Sequence, residues 1–147
     1  MTRIKIKLPS LEIAVVKIPV RITDINYGNH TGNDAFISIL HEARMQWLKQ
    51  HAYTELNFAG TALIMSDLQI EFKNESYYGD MIEIKIFCGE IAGVSFELYY
   101  QLTTTRENKN ILLANAKTGM VCYDYQHKKT MPVNETVRKI LLAALKL

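Results

Sequence analysis

Cysteine is scarce in this sequence: the only two, Cys88 and Cys122, both fall inside apolar, strand-like runs, and no Cys-x-x-Cys pair occurs. That pattern favours buried free thiols over a disulfide framework or a structural zinc site, and no metal is expected. No apolar stretch approaches the length needed to cross a bilayer. The first residues carry Arg3, Lys5 and Lys7 with no continuous apolar segment, so no signal peptide is read and a cytoplasmic location is expected. Charge of either sign is not in excess: a net +2 over 147 residues leaves no footprint for nucleic acid or a membrane surface. There is no internal repeat, no low-complexity run and no linker, which predicts one domain over 1–147. Two familiar hydrolytic signatures are also missing. His41-Glu42 is followed by Met45 where a zinc protease would need its second histidine, and Ser66 lacks a Gly-x-Ser-x-Gly context.

What remains is ordinary globular composition, 48% hydrophobic and 22% charged, with legible periodicity. Ile4, Ile6 and Leu8 alternate with Arg3, Lys5 and Lys7, which predicts a half-exposed strand broken at Pro9. A β-branched run over 12–20 predicts a second strand. The clearest pattern predicts a helix over 33–50: Phe36, Ile39, Leu40, Ala43 and Trp47 share one arc of a helical wheel, with Asp34, Ser38, His41 and Glu42 opposite and Asn33 as cap. Strands follow over 62–72, 81–91, 94–105 and 111–125, separated by short turns, of which Gly79-Asp80 is the tightest. A last helix is expected over about 134–146, presenting Val137, Ile140, Leu141, Ala144 and Leu145 on one face. Consecutive strands with short connections imply an antiparallel sheet, and the long helix must bury its apolar arc somewhere. The economical solution is α+β, a curved antiparallel sheet wrapped around one long central helix.

Chemistry concentrates in Asp24-Ile25-Asn26-Tyr27-Gly28-Asn29-His30-Thr31-Gly32-Asn33-Asp34, a polar loop leading into that helix. Its glycines permit tight turning, and the helix start adds backbone N–H groups without helical partners. This stretch, with Glu42-Ala43-Arg44 at the expected distance and a strand 67–72 followed by Gly79-Asp80, resembles the hotdog-fold thioesterases. The likeness is to the 4-hydroxybenzoyl-CoA-thioesterase-like group and related acyl-carrier-protein thioesterases, whose signature runs Asp-x-Asp-x-x-Gly-His-x-Asn-Asn. It covers roughly residues 12–125.

The resemblance implies a hotdog fold and hydrolysis of an acyl-CoA or acyl-carrier-protein thioester. It also implies a homodimer or homotetramer with the site between subunits, and no cofactor. Where many members carry a catalytic carboxylate, this chain has Asn26, and an amide cannot act as nucleophile or general base near neutral pH. Asp34, Glu42, Asp24, Asp67 and Glu71 are candidates to replace it, with Asp34 favoured as partner to His30. The expected catalytic residues are therefore Asn26, His30 and Asp34. Gly28, Asn29, Asn33, Glu42, Ser66 and Asp67 are expected to bind substrate, and Phe36, Leu40, Ile64, Met65 and Phe72 to line an acyl slot. Two other functions stay open: a hotdog-fold hydratase or dehydratase, and a non-catalytic binder of acyl thioesters.

Overall fold

A computed structural model describes residues 1–146; the last residue of the expected 1–147 domain lies outside them. In chain order the elements are β1 (Glu12–Pro19), a single 3-10 turn (Ile22–Asp24), α1 (Asn33–Gln50), β2 (Ala62–Phe72), β3 (Met81–Ala92), β4 (Ser95–Arg106), β5 (Lys109–Asp124), β6 (Lys129–Thr130) and α2 (Glu135–Leu141). The strands form one antiparallel sheet in the order β1-β3-β4-β5-β2, with β6 added to β5. Alternation decides which face holds the core. Ile82, Ile84 and Ile86 on β3 and Leu98, Tyr100 and Leu102 on β4 are buried, in register with the small Ala114 and Ala116 on β5.

The buried face of helix α1 joins the same cluster as those alanines. Phe36, Ile39, Leu40, Ala43, Trp47 and Leu48 are buried in the same cluster, and Trp47 meets Phe58 edge-on at 5.6 Å. Burying Leu40 and Leu48 contributes about 2 kcal/mol each, so packing rather than helix propensity holds α1 in place. Arg44 joins this buried face, its guanidinium donating to the Tyr100 hydroxyl at 3.4 Å with Glu55 3.9 Å away.

Three sequence expectations change. The strand expected at residues 4–8 does not form: the sheet has open edges at β1 and β2, but the segment runs beside β2 without a backbone ladder to it. Among the described residues the segment before β1 is tied by Ile6 N–H donating to Glu71 Oε1 (3.2 Å) and Cys88 N–H donating to the Leu11 carbonyl (3.0 Å), with Leu11 packed against the core. Gly32, not Asn33, caps α1, since its own N–H is held by the Asp24 carbonyl and the helix turns one residue sooner. Helix α2 ends at Leu141, not near 146. Asn134 caps it by accepting from Val137 N–H at 2.9 Å, but Leu145 N–H leaves the helical path to reach the Glu12 carbonyl at 2.8 Å.

Candidate active site

Residues 25–31 close on themselves as a small turn bridged between Ile25 and Thr31. Asn26 N–H donates to the His30 carbonyl, Asn29 N–H donates to the Asn26 carbonyl, and Asn29 takes the left-handed conformation (φ 64°) that an Asn tolerates best after Gly. The Asn26 side-chain oxygen accepts from Gly28 N–H at 2.9 Å. Gly28 is needed for space: a Cβ there would stand 3.1 Å from His30 Nε2 and 3.2 Å from the Asn26 side-chain oxygen. One side of Gly28 therefore brings the amide and the imidazole together. A Cβ on Gly32 would press on the Asp34 carboxylate and lie 3.6 Å from the Asn26 Cβ, so Asp34 folds back beside the same amide. No hydrogen bond or ion pair joins His30 to Asp34 among the described residues.

The His30 ring is half-buried, and its Nδ1 lies 3.2 Å from the Thr31 carbonyl. A carbonyl only accepts, so in the neutral ring Nδ1 carries the hydrogen and Nε2 keeps its lone pair. That Nε2 faces Glu75, 3.9 Å from its Oε1. Glu75 is the carboxylate sequence reasoning missed: Asn74-Glu75-Ser76 reads as turn, and nothing local announces a tertiary contact. Its other oxygen accepts from the Tyr77 hydroxyl at 2.7 Å, and this bond to the carboxylate holds the Tyr77 phenol above its ordinary pKa.

The loop carrying Glu75 is held from behind. Arg106 grips Asp80 through two nitrogens (3.1 and 2.7 Å), donates to the Glu75 carbonyl at 2.7 Å and lies 4.7 Å over the Tyr77 ring. Burial alone would raise the Asp80 carboxyl, yet the Arg106 guanidinium, Tyr77 N–H and Ser76 hydroxyl together bring it below the usual range. Thr31 N–H donates to the Ser76 carbonyl at 2.7 Å and joins this loop to the one carrying His30. The Gly79-Asp80 turn thus serves the site by anchoring it.

Between the two loops opens a groove of about 200 Å³, bounded by His30, Thr31, Asn33, Lys73, Asn74 and Glu75, with Phe36 and Phe72 in edge contact at 5.4 Å as its apolar floor. Asn33, Asp34 and Ala35 begin α1, and their N–H groups find no acceptor among the described residues; Asn33 lines the groove, so the positive end of the helix stands beside it. The Thr31 hydroxyl is also buried, with no hydrogen-bond partner among the described residues.

The other expected site residues stand elsewhere. Asp24 is buried and accepts from the Arg21 backbone (2.8 Å) and guanidinium (3.2 Å), which occupies it structurally. Glu42 lies on the exposed side of α1, taking the Gln46 amide one turn on. Ser66 bonds to Asp67 and to the Gly119 carbonyl. Asp67, in turn, is bound by Lys117, which holds its carboxyl below the usual range. Both belong to the bulge of β2, well down the strand from Phe72. Glu71 is held by Lys73 at 2.9 Å. Of the expected slot residues, Phe36 and Phe72 line the groove, Leu40 is fully in the core, and Met65 is exposed at the free edge of β2. Among the described residues no three of His, Cys, Asp and Glu cluster closely enough to hold a metal ion, and no helix is long and apolar enough to cross a membrane.

A family model described as the thioesterase-like superfamily matches residues 20–141. Among solved structures, the 1,4-dihydroxy-2-naphthoyl-CoA thioesterase Slr0204 from Synechocystis superposes with a TM-score of 0.75 at 20% identity, covering 86% of this chain and 93% of that one. A mutant 4-hydroxybenzoyl-CoA thioesterase complexed with 4-hydroxybenzoyl-CoA gives 0.77 at 13% identity, covering 87% and 97%. The dynemicin thioesterase, solved in a study of polyene binding, gives 0.78 at 17% identity over 92% and 99%. These likenesses carry the fold: the curved sheet around α1 is the hotdog arrangement. No curated protein matches the chain.

Proposed function

The chain belongs to the thioesterase-like superfamily, and we propose that it hydrolyses an acyl-CoA or acyl-carrier-protein thioester to a free acid and a thiol, with His30 as general base. The observation that carries this reading is the lone pair of His30 Nε2, 3.9 Å from Glu75 in a groove that Asn33, the first residue of α1, also lines. The thioester carbonyl would sit at the start of α1, where the unpaired N–H groups meet the charge that develops on its oxygen. His30 takes a proton from water, and the water oxygen bonds to the carbonyl carbon. The C–S bond then breaks, and the proton passes from His30 to the departing thiolate. The Glu75 carboxylate stabilises the imidazolium in between, the task that an Asp at position 26 could not be called on to perform here. Asn26 orients the loop and holds water or the carbonyl by hydrogen bonds, and Asp34 is retained as a second carboxylate beside it. The imidazole supplies the base, so this step calls for no metal.

Release of free thiol from short, long and aromatic acyl-CoAs tests the proposal. His30→Ala should lower kcat by about 10²-fold or more. A wild-type protein that releases thiol from none of them overturns hydrolysis. Asn26 favours one other reading, a binder that holds acyl thioesters without turnover, and saturable binding with no thiol release would select it. We further propose a homodimer or dimer of dimers built on the free edge of β2, where Met65 and Phe72 are 43% and 45% exposed.

A further inference from the structure

A carboxylate on a glutamate stem makes a poorly fixed charge unless something holds it. The Glu75 side chain is 59% exposed at the rim of the groove, and its Oε1 stands 3.9 Å from His30 Nε2, beyond hydrogen-bond distance. Ordering so free a side chain has an entropic cost that an open ion pair does not offset. The Tyr77 hydroxyl removes that freedom. It donates to the other oxygen, Oε2, at 2.7 Å, so the two oxygens are divided between phenol and imidazole.

The phenol is itself fixed. Tyr77 N–H donates to Asp80 at 2.9 Å, and the Arg106 guanidinium lies 4.7 Å from the centre of its ring. The same guanidinium donates to the Glu75 carbonyl at 2.7 Å, so it holds the glutamate backbone while it holds the ring. Between Glu75 and Tyr77, Ser76 is fully buried, its carbonyl taken by Thr31 N–H and its hydroxyl by Asp80. With the residue between them turned inward, the two outer side chains share one side of an extended run and meet there.

Resting on the hydrolase reading above, we propose that Tyr77 is a positioning residue, whose hydroxyl aims the Glu75 carboxylate at His30 where position 26 has only an amide. The phenol keeps its proton throughout: its bond to the carboxylate holds it above its ordinary pKa.

Thiol release by Tyr77→Phe and Tyr77→Leu, each alone and combined with Glu75→Gln, tests the role. Tyr77→Phe keeps the ring under Arg106 and loses only the hydroxyl. Its kcat should fall about fivefold with KM unchanged, the size of one hydrogen bond felt only once the imidazole is charged. In the Glu75→Gln background the same change should cost nothing further, because the charge being aimed is gone. Wild-type kcat in Tyr77→Phe with a loss confined to Tyr77→Leu, or a full further loss in the Glu75→Gln background, overturns the role and leaves hydrolysis standing. The imidazole resonances of His30, followed by NMR, read the aim without turnover. They should move in Tyr77→Phe in the direction they move in Glu75→Gln, and resonances unmoved in Tyr77→Phe overturn the proposal. A wild type that releases no thiol while those resonances move together removes the hydrolase and keeps the aim.

Discussion

At position 75 a single atom separates two behaviours. Glu75→Gln keeps the shape and leaves an oxygen for the Tyr77 hydroxyl, but removes the charge that faces His30 Nε2. On the proposed mechanism kcat should fall about tenfold with KM little changed, because the charge matters only once the imidazole has taken a proton. A second readout needs no substrate: the Tyr77 phenol, held up by the carboxylate, should titrate closer to its ordinary value in the variant, measured by ultraviolet difference titration. Gly28→Ala tests the packing of the loop, since the added methyl would crowd both His30 and Asn26. It should depress turnover while moving Tm by only a degree or two. His30 and Asn33 were legible in the sequence because loop and helix start lie side by side along the chain. Glu75 was not, because its approach to His30 depends on the pairing of Thr31 with Ser76, which no local pattern encodes.

Among the elements, the β2–β3 loop depends most on one pair. Asp80 is held below the ordinary carboxylate range, chiefly by Arg106 against the cost of burial. Its contribution is therefore complete above the unfolded-state value and is lost as pH falls through the lowered native value. Urea denaturation at neutral pH should show Asp80→Asn destabilised by about 2 kcal/mol, with the gap narrowing in acid as the wild type loses the same charge. Asn134→Ala removes the α2 cap and should cost about 1 kcal/mol in the same assay.

Strands β3 and β4 were readable because their alternation sets every second residue on the buried face over most of their length, whereas β2 and β5 were readable as runs bounded by turns. The strand expected at residues 4–8 had the alternation, but its Ile6 N–H bonds to the Glu71 side chain and not to the backbone of the open β2 edge. Helix α2 had the apolar spacing, but Leu145 found a better partner in the Glu12 carbonyl. Periodicity reports what a segment can bury, and the neighbours decide whether it does.

The whole molecule presents β2 as a bare edge, with a bulge between Met65 and Asp67 and apolar side chains beside it. Met65→Glu should leave the monomer folded and shift light-scattering mass towards one subunit, if this edge joins the copies. The wrapped sheet followed from strand lengths and short turns. The subunit arrangement did not, since one chain's pattern is silent about what meets its edge.

The bond from Thr31 N–H to the Ser76 carbonyl has a consequence for breathing motions. It ties a turn near the start of the chain to one past its middle, so neither can loosen without the other. Hydrogen exchange should then protect Thr31 and the Arg106-clamped amides to a common degree, and a defect at the clamp would slacken the imidazole's turn from a distance.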